Sequence, residues 1–408
     1  MLGSIRNREF NQAFDIFSIG SFRRLWSSAV LFSMGQWLDR TIVGWLVLDM
    51  TGSAFLTGLV WAVRFCPNLL FGPAMGVISD RYPRGRTLSI NASVRAIAML
   101  ITGLLFFLGQ ESLPALLILA LIGGTSTTLQ MAVIQPLAAE VVGDTKLANG
   151  VTITALGQRA VGAVGALLGG VLLATISPAW IFVIAALPLL VSAVVFLTIS
   201  PNFSREIKIT SFLSDMREGL EVIRGRRAVL VLLVLMAFTE MFGFSYNGFL
   251  PVVADDLLDI GPEGLGLLTS ATALGGLLGV LGLTLYHGAI RRGLLLLMII
   301  GSFGVLEILL GMSSILGVSW VLLACMGGMG AMVDSLEWIL LQTAVSSDMR
   351  GRVLGWWNVA IGCGWIGTII LGIIADSYGI QASLSVAGII LLFVAFSALT
   401  LSSQLRRI

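Results

Sequence analysis

Charged residues are scarce in this sequence. Only 11% of its 408 residues are charged and 57% are hydrophobic, whereas soluble domains carry about 25% charged residues. A soluble core cannot bury so much apolar surface, so the composition excludes a soluble globular protein and predicts a membrane protein. The formal net charge of +2 is too small to indicate a nucleic-acid partner.

Histidine, cysteine and lysine are also rare. The single histidine, His287, excludes a histidine-rich metal centre, and the three cysteines have no paired spacing, which argues against a disulfide framework or a zinc site. Neither lysine, Lys146 or Lys208, follows glycine, so the chain lacks a Walker loop for ATP. We therefore expect no cofactor and no metal. Glycine is abundant, with 48 residues, which favours closely packed spanning helices.

Long apolar runs dominate the rest of the sequence. A spanning helix needs about 20 mostly apolar residues. Twelve runs of suitable length can be placed, at 25–48, 54–78, 88–109, 113–136, 150–175, 179–199, 228–252, 264–286, 293–312, 317–342, 353–375 and 381–402. The sequence therefore predicts an all-α integral membrane protein with twelve transmembrane helices.

Basic residues fall on one side of the predicted helices. With the N-terminus assigned to the cytoplasm, 20 of the 24 lysines and arginines lie in cytoplasmic segments. The other four, Arg40, Arg64, Arg95 and Arg159, lie within helices. Because cytoplasmic loops carry the excess of basic residues, this distribution predicts a multi-pass protein of the cell (plasma or inner) membrane with both termini in the cytoplasm.

The longest cytoplasmic connection, 200–227, divides the chain. Apolar residues recur in it at helical spacing between charges, which predicts an amphipathic helix at the membrane surface. We therefore expect a cytoplasmic N-terminus at 1–24, a six-helix bundle at 25–199, the linker at 200–227, a second six-helix bundle at 228–402 and a cytoplasmic C-terminus at 403–408.

The two bundles share a glycine pattern. Glycines 150, 157 and 162 match glycines 355, 362 and 367 at a constant offset of 205. A repeat of about half the chain length is typical of transporters built from two parallel halves. The pattern predicts two pseudo-symmetric halves.

Three stretches carry a resemblance to a known family. "GPAMGVISDRYPRGR" (72–86) resembles the signature between helices two and three of the major facilitator superfamily, with Gly76, Asp80, Arg81, Arg84 and Arg86 at its characteristic positions. "QPLAAEVVGDTKLANG" (135–150) and "DMRGRVLGWWNVAIG" (348–362) are similar to the efflux-type branch that includes macrolide and enterobactin (siderophore) exporters, as is nearly all of 35–73.

This resemblance implies a function as well as a fold. It implies twelve helices around a central cavity and secondary active, proton-coupled efflux of a small amphipathic molecule by alternating access in the lipid bilayer. We expect a monomer, because one chain contains both halves. The drug-antiporter signature in helix five departs from the family pattern, since Gly165-Ala166 replaces its Gly-Pro. A solute importer is the alternative; a membrane enzyme and a non-transporting sensor are remote ones.

The resemblance also assigns a latch to the charged loop. In the family, the signature Asp contacts the start of helix eleven, where backbone N–H groups favour an anion. Here that Asp is Asp80, and the facing segment carries Asp348, Arg350 and Arg352. We expect Asp80 to hold the two halves together on the cytoplasmic side. Membrane topology explains the arginines of the loop, and Gly72 and Gly76 are expected to let helix two pack closely.

Charged residues inside the helices are candidates for the coupling or cavity site. A charge at the bilayer centre is costly and is usually turned inward and paired. The candidates on cavity-lining helices are Asp39, Arg40, Arg64, Arg159, Glu240, Asp334 and Glu337. Asp39 and Arg64 lie at similar depth and are expected to pair, whereas Arg40 is rotated by about 100° from Asp39. Their pair could be structural or could serve gating or coupling.

Acidic residues of the second half are candidates for carrying protons. Asp334 and Glu337 are three residues apart, so they share one helix face. Two carboxylates close together in a low dielectric do not both ionise easily, as a proton carrier requires. Glu240 could serve alone, or all three acids could simply neutralise Arg159 and other arginines of the cavity. Arg95 and Glu307 lie on helices that are peripheral in the family.

Overall fold

The computed structural model describes residues 15–143, 146–199, 221, 223, 225–285, 291–345 and 349–402. Every long regular element in these ranges is a helix, which confirms the all-α prediction. The predicted linker at 200–227 lies largely outside the described residues, as do 1–14 and 403–408. The amphipathic linker and the domain boundaries therefore stay predictions.

The described ranges contain twelve long helices. They are α1 Gly20–Thr51, α2 Ala54–Arg81, α3 Arg84–Phe107, α4 Leu113–Val142, α5 Leu147–Thr175, α6 Pro178–Leu197, α7 Arg227–Leu257, α8 Gly261–Leu285, α9 Arg292–Met312, α10 Leu316–Thr343, α11 Arg350–Tyr378 and α12 Ile380–Leu401. Eleven of them, α2 to α12, contain stretches long and apolar enough to cross a membrane. The remaining helix, α1, has 32 residues and carries Asp39 and Arg40.

Two of these helices are interrupted. In α7, π turns at Thr239–Gly243 and Val253–Leu257 flank a short α segment. In α11, the segments Arg350–Gly362 and Gly364–Tyr378 meet at Cys363. A π turn widens the helix by one residue, and such turns are frequent at functional sites.

The fourth helix runs six residues beyond its predicted end. The apolar run ends at Pro136, but α4 continues through this proline to Val142. Proline has no N–H to donate to the carbonyl four residues earlier, which is that of Ala132. The Ser79 hydroxyl on α2 donates to this carbonyl at 3.1 Å. A neighbouring helix thus replaces the hydrogen bond that Pro136 removes.

The helices pack in two similar sets. In the first half α1 packs on α5, α2 on α4 and α3 on α6; in the second, α7 packs on α11, α8 on α10 and α9 on α12. One apolar cluster lies wholly within residues 16–199, and the other within 223–395 apart from Leu48 and Ala54. Gly162 on α5 faces Trp37 on α1, and Gly367 on α11 faces Met241 on α7. These equivalent contacts agree with a parallel repeat.

The halves meet closely at the end of the bundle where α1 joins α2, which is the predicted outer end. Gly170 on α5 lies so near Gly266 on α8 that an added Cβ would come within 2.8 Å of the Gly266 Cα. The Ser53 hydroxyl and the Phe55 N–H, at the start of α2, donate to the two carboxylate oxygens of Asp376 on α11 at 2.9 and 3.0 Å. These contacts join the halves at that end.

The other end of α2 is packed less tightly than the sequence predicted. A Cβ added at Gly72 or Gly76 would meet no atom of the described residues within 4 Å. Among the described residues, these two glycines therefore show none of the close helix contact that was expected of them. Close approach instead occurs at other glycines, such as Gly124 on α4 against the backbone of Arg64.

Candidate functional site

A buried ion cluster lies inside the first half. Asp39 on α1 is fully buried, and its Oδ2 accepts hydrogen bonds from Arg64 Nη1 at 2.7 Å and Arg95 Nη2 at 2.6 Å. The expected contact between Asp39 and Arg64 is thus present. Sequence reasoning missed Arg95 by treating α3 as peripheral. Because a charge in the middle of a spanning helix needs a partner, the position of Arg95 indicated that it is paired inside the bundle, although not with which residue.

Gly123 on α4 leaves the space that this cluster occupies. A Cβ at this position would lie 2.7 Å from Arg64 Nη1 and 3.1 Å from Asp39 Oδ2. The Gly123 carbonyl also accepts a hydrogen bond from Arg95 Nη1 at 3.3 Å. The absence of a side chain at Gly123 therefore lets two arginines converge on one carboxylate.

Arg40 lies beside this cluster, within electrostatic range of Asp39, Arg64 and Arg95, but among the described residues it takes no part in the hydrogen bonds of the cluster. Its guanidinium carbon lies 5.2 Å from the ring centre of Trp37 and 5.6 Å from that of Trp61, within the range of cation–π attraction. Its Nε is buried without a hydrogen-bond partner, and no carboxylate lies within 4 Å of its nitrogens among the described residues.

A small cavity between the halves is lined by Arg40 and Arg64. Its volume is about 40 Å³. The two indoles, Trp37 and Trp61, also line it, and α7 and α8 of the second half complete the wall. No lining residue is acidic.

The three acids of the second half gather at one place. Glu240, in the first π turn of α7, is within electrostatic range of Asp334 on α10, and Glu337 is within range of both. Glu240 is 8% and Glu337 1% exposed, and neither oxygen of Glu337 has a hydrogen-bond partner in the described part of the chain. Arg159 on α5 of the other half lies within electrostatic range of Asp334, but among the described residues the two form no ion pair within 4 Å. The structure thus combines acids that the sequence offered as separate candidates.

Glu307 is a further buried acid on α9. It is fully buried, neither of its carboxylate oxygens has a hydrogen-bond partner among the described residues, and it faces Tyr246. Glu307 is not among the charges that act on the three acids, and its helix, α9, carries none of them.

The predicted latch is described only in part. Arg81 and Arg86 are exposed, and no atom of the described part of the chain lies within 4 Å of a Cβ added at Gly76. Arg84 departs from the expectation of a purely topological charge, because it is 4% exposed and forms an ion pair with Glu140 on α4. This pairing follows from the continuation of α4 beyond Pro136, which brings Glu140 beside the start of α3.

The remaining latch residues are not placed. The side chains of Asp80, Arg350 and Arg352 are not described, and Asp348 lies outside the described residues. The contact of Asp80 with the start of α11 stays a prediction. In the parts of the chain that are described, no group of three or more metal-ligating side chains could hold a metal ion.

Comparison with known proteins agrees with this architecture. A family model described as transmembrane secretion effector matches residues 11–408. The enterobactin exporter EntS of Citrobacter koseri is 29% identical over 375 residues, which cover 89% of this chain and 84% of that protein. EntS of Shigella boydii is 29% identical over 373 residues, covering 88% and 86%.

Solved structures share the fold at much lower identity. A D-xylose–proton symporter has a TM-score of 0.74 at 14% identity, covering 94% of this chain and 98% of that one. The xylose transporter XylE from E. coli, in an inward open conformation, has a TM-score of 0.72 at 15% identity, covering 95% and 96%. With a family match over nearly its whole length, the chain is a multi-pass membrane transporter, not an enzyme, and belongs to the transmembrane secretion effector family of the major facilitator superfamily.

Proposed function

We propose that this transporter exports a small amphipathic molecule in exchange for protons, by alternating access. The relatives named enterobactin exporters support the direction, and the distribution of basic residues supports placement in the inner membrane with both termini in the cytoplasm. One chain supplies both halves of the cavity, which supports a monomer as the working unit. A drug, a macrolide or a siderophore-like molecule fits the class of substrate.

The cluster of Glu240, Asp334 and Glu337 is the observation that carries proton coupling. Three carboxylates within electrostatic range of one another, of which Glu240 and Glu337 are buried, are not all charged at modest cost, because like charges repel strongly in a low dielectric. Such a cluster binds a proton while Arg159 is distant and releases it when Arg159 approaches. Since Arg159 belongs to the other half, its distance from Asp334 changes whenever the halves rock against each other.

The contacts between the halves support the alternating-access part of the proposal. The hydrogen bonds from Ser53 and Phe55 to Asp376, together with the Gly170–Gly266 contact, close the predicted outer end. Both join residues of different halves, so both must separate for a substrate to leave on that side. The proposed role of Asp80 is to replace them at the inner end when the outer end opens.

Flux in reconstituted vesicles tests this proposal. We expect an imposed pH gradient to drive directional movement of a labelled compound from a panel of lipophilic cations, macrolides and siderophores. Glu240→Gln and the double variant Asp334→Asn/Glu337→Gln should abolish the response to the gradient. Glu307→Gln, which neutralises a buried acid outside the cluster, is the matched control and should retain it.

Two outcomes would contradict the proposal. Flux without direction or gradient dependence would exclude secondary active transport. Full pH-driven flux in both cluster variants would leave transport standing and remove the cluster as its proton carrier.

A further inference from the structure

We propose that the cavity beside Arg40 binds an anionic, planar aromatic group of the transported molecule. This inference rests on the proposed function, because it takes the occupant of the cavity to be part of the substrate. In this proposal Arg40 is the main contact of the anion and Arg64 is a second donor, and Trp37 and Trp61 contact the ring.

The charge balance around the cavity favours an anion. Arg40, Arg64 and Arg95 are close enough to affect one another electrostatically, and Asp39 is the acid that faces them. That single carboxylate is already engaged by Arg64 and Arg95. The positive charge of Arg40 therefore lacks a carboxylate partner within the described residues, and the acid cluster of the second half does not line this cavity.

Unused hydrogen-bond donors point to the same chemistry. Arg40 Nε and Arg64 Nη2 are buried and have no acceptor among the described residues. A buried donor without an acceptor is costly, and the cost is larger for a charged group. A carboxylate or phenolate in the cavity would supply acceptors to both arginines through charge-assisted hydrogen bonds. A cationic group in the same place would be repelled by both.

The two indoles give the site its shape. Trp37 and Trp61 both lie against the Arg40 guanidinium and line the cavity, so the edge of a flat ring entering beside Arg40 can pack against an indole. The volume of about 40 Å³ is far below the roughly 300–1,000 Å³ of pockets that enclose whole drug-sized ligands. The cavity in this conformation accordingly admits the edge of a ring or its anionic substituent.

Both halves contribute to this site. Arg40 and Trp61 come from the first half, whereas Asn247 on α7 and Thr269 on α8 come from the second. A group bound here contacts both halves at once. Its binding is therefore sensitive to their relative position, as an alternating-access site requires.

Equilibrium binding of simple aromatic probes tests the inference. Purified protein in nanodiscs would be titrated with labelled benzoate, and with benzamide and cyclohexanecarboxylate as competitors. Benzamide keeps the ring without the charge, and cyclohexanecarboxylate keeps the charge without the aromatic ring. We expect benzoate to bind at least about tenfold more tightly than benzamide, the ratio expected for a charge-assisted hydrogen bond.

Variants assign this preference to the proposed residues. Arg40→Gln should abolish the preference of benzoate over benzamide, whereas Arg23→Gln, the same change at an exposed position of α1, should leave it intact. Trp61→Leu retains Arg40 and should lower the binding affinity for benzoate to that for cyclohexanecarboxylate. This second variant keeps the test decisive if Arg40→Gln does not fold.

Equal binding of benzoate and benzamide to the unaltered protein would overturn the inference. So would an unchanged preference of benzoate over benzamide in folded Arg40→Gln, or an unchanged preference of benzoate over cyclohexanecarboxylate in folded Trp61→Leu. These measurements need no pH gradient and no flux. A failure here combined with pH-driven flux in vesicles would remove the anion site and leave the proposed transport function standing.

Discussion

At the scale of single residues, Asp39 shows how a membrane interior accommodates charge. Its carboxylate is fully buried and binds two arginines from two other helices. The pair with Arg64 could be predicted from depth alone, because both lie near the middle of adjacent helices. The contact with Arg95 could not, since hydropathy does not show which face of α3 turns toward α1. Gly123 was also missed, because its role depends on packing between helices.

Neutralising Asp39 should destabilise the protein strongly. Asp39→Asn would leave Arg64 and Arg95 facing each other without a counter-charge, and breaking a buried pair in this way costs about 3–5 kcal/mol. We expect a clear fall in the unfolding midpoint in detergent. Asp49→Asn, at the exposed end of the same helix, is the matched control. Equal midpoints for the two variants would show that Asp39 does not hold the cluster together.

At the scale of helices, α2 and α4 depend on each other through a proline. Ser79 supplies the donor that Pro136 cannot, so α4 runs on to Val142 and presents Glu140 to Arg84. The twelve spans follow from apolar run length and were predicted well. The continuation of α4 was not, because it depends on a contact from a neighbouring helix rather than on the composition of the helix itself. The composition of α7 likewise did not indicate its π turns.

The link between Ser79 and Pro136 can be measured with a double-mutant cycle. Ser79→Ala should lower the free energy of unfolding by about 1 kcal/mol, since a partly buried carbonyl loses its donor. Pro136→Ala restores a backbone N–H, so Ser79→Ala should cost much less in that background. Additive effects of the two substitutions, measured by denaturation in detergent, would show that the hydroxyl and the proline act independently.

At the scale of the whole molecule, α2 and α11 form an antiparallel pair that crosses the boundary between the halves. At the predicted outer end, Asp376 at the end of α11 accepts hydrogen bonds at the start of α2. At the inner end, the family resemblance places Asp80, at the end of α2, against the start of α11. The same arrangement, a carboxylate on the first turn of the opposite helix, would then close either end of the pair.

Neutralising Asp376 should therefore favour opening of the outer end. Asp376→Asn weakens two hydrogen bonds across the halves, and because Asp376 is exposed we expect a population shift of about tenfold at most. Hydrogen exchange should rise at residues 168–175 of α5 and 261–270 of α8, which contribute the Gly170–Gly266 contact at that end. Glu111→Gln, an exposed acid at the same end, is the control. If exchange in Asp376→Asn rises only at the start of α2, the Asp376 carboxylate caps that helix without acting on the closure. If Asp80→Asn also raises exchange at 168–175 and 261–270, Asp80 and Asp376 do not hold opposite ends of the pair.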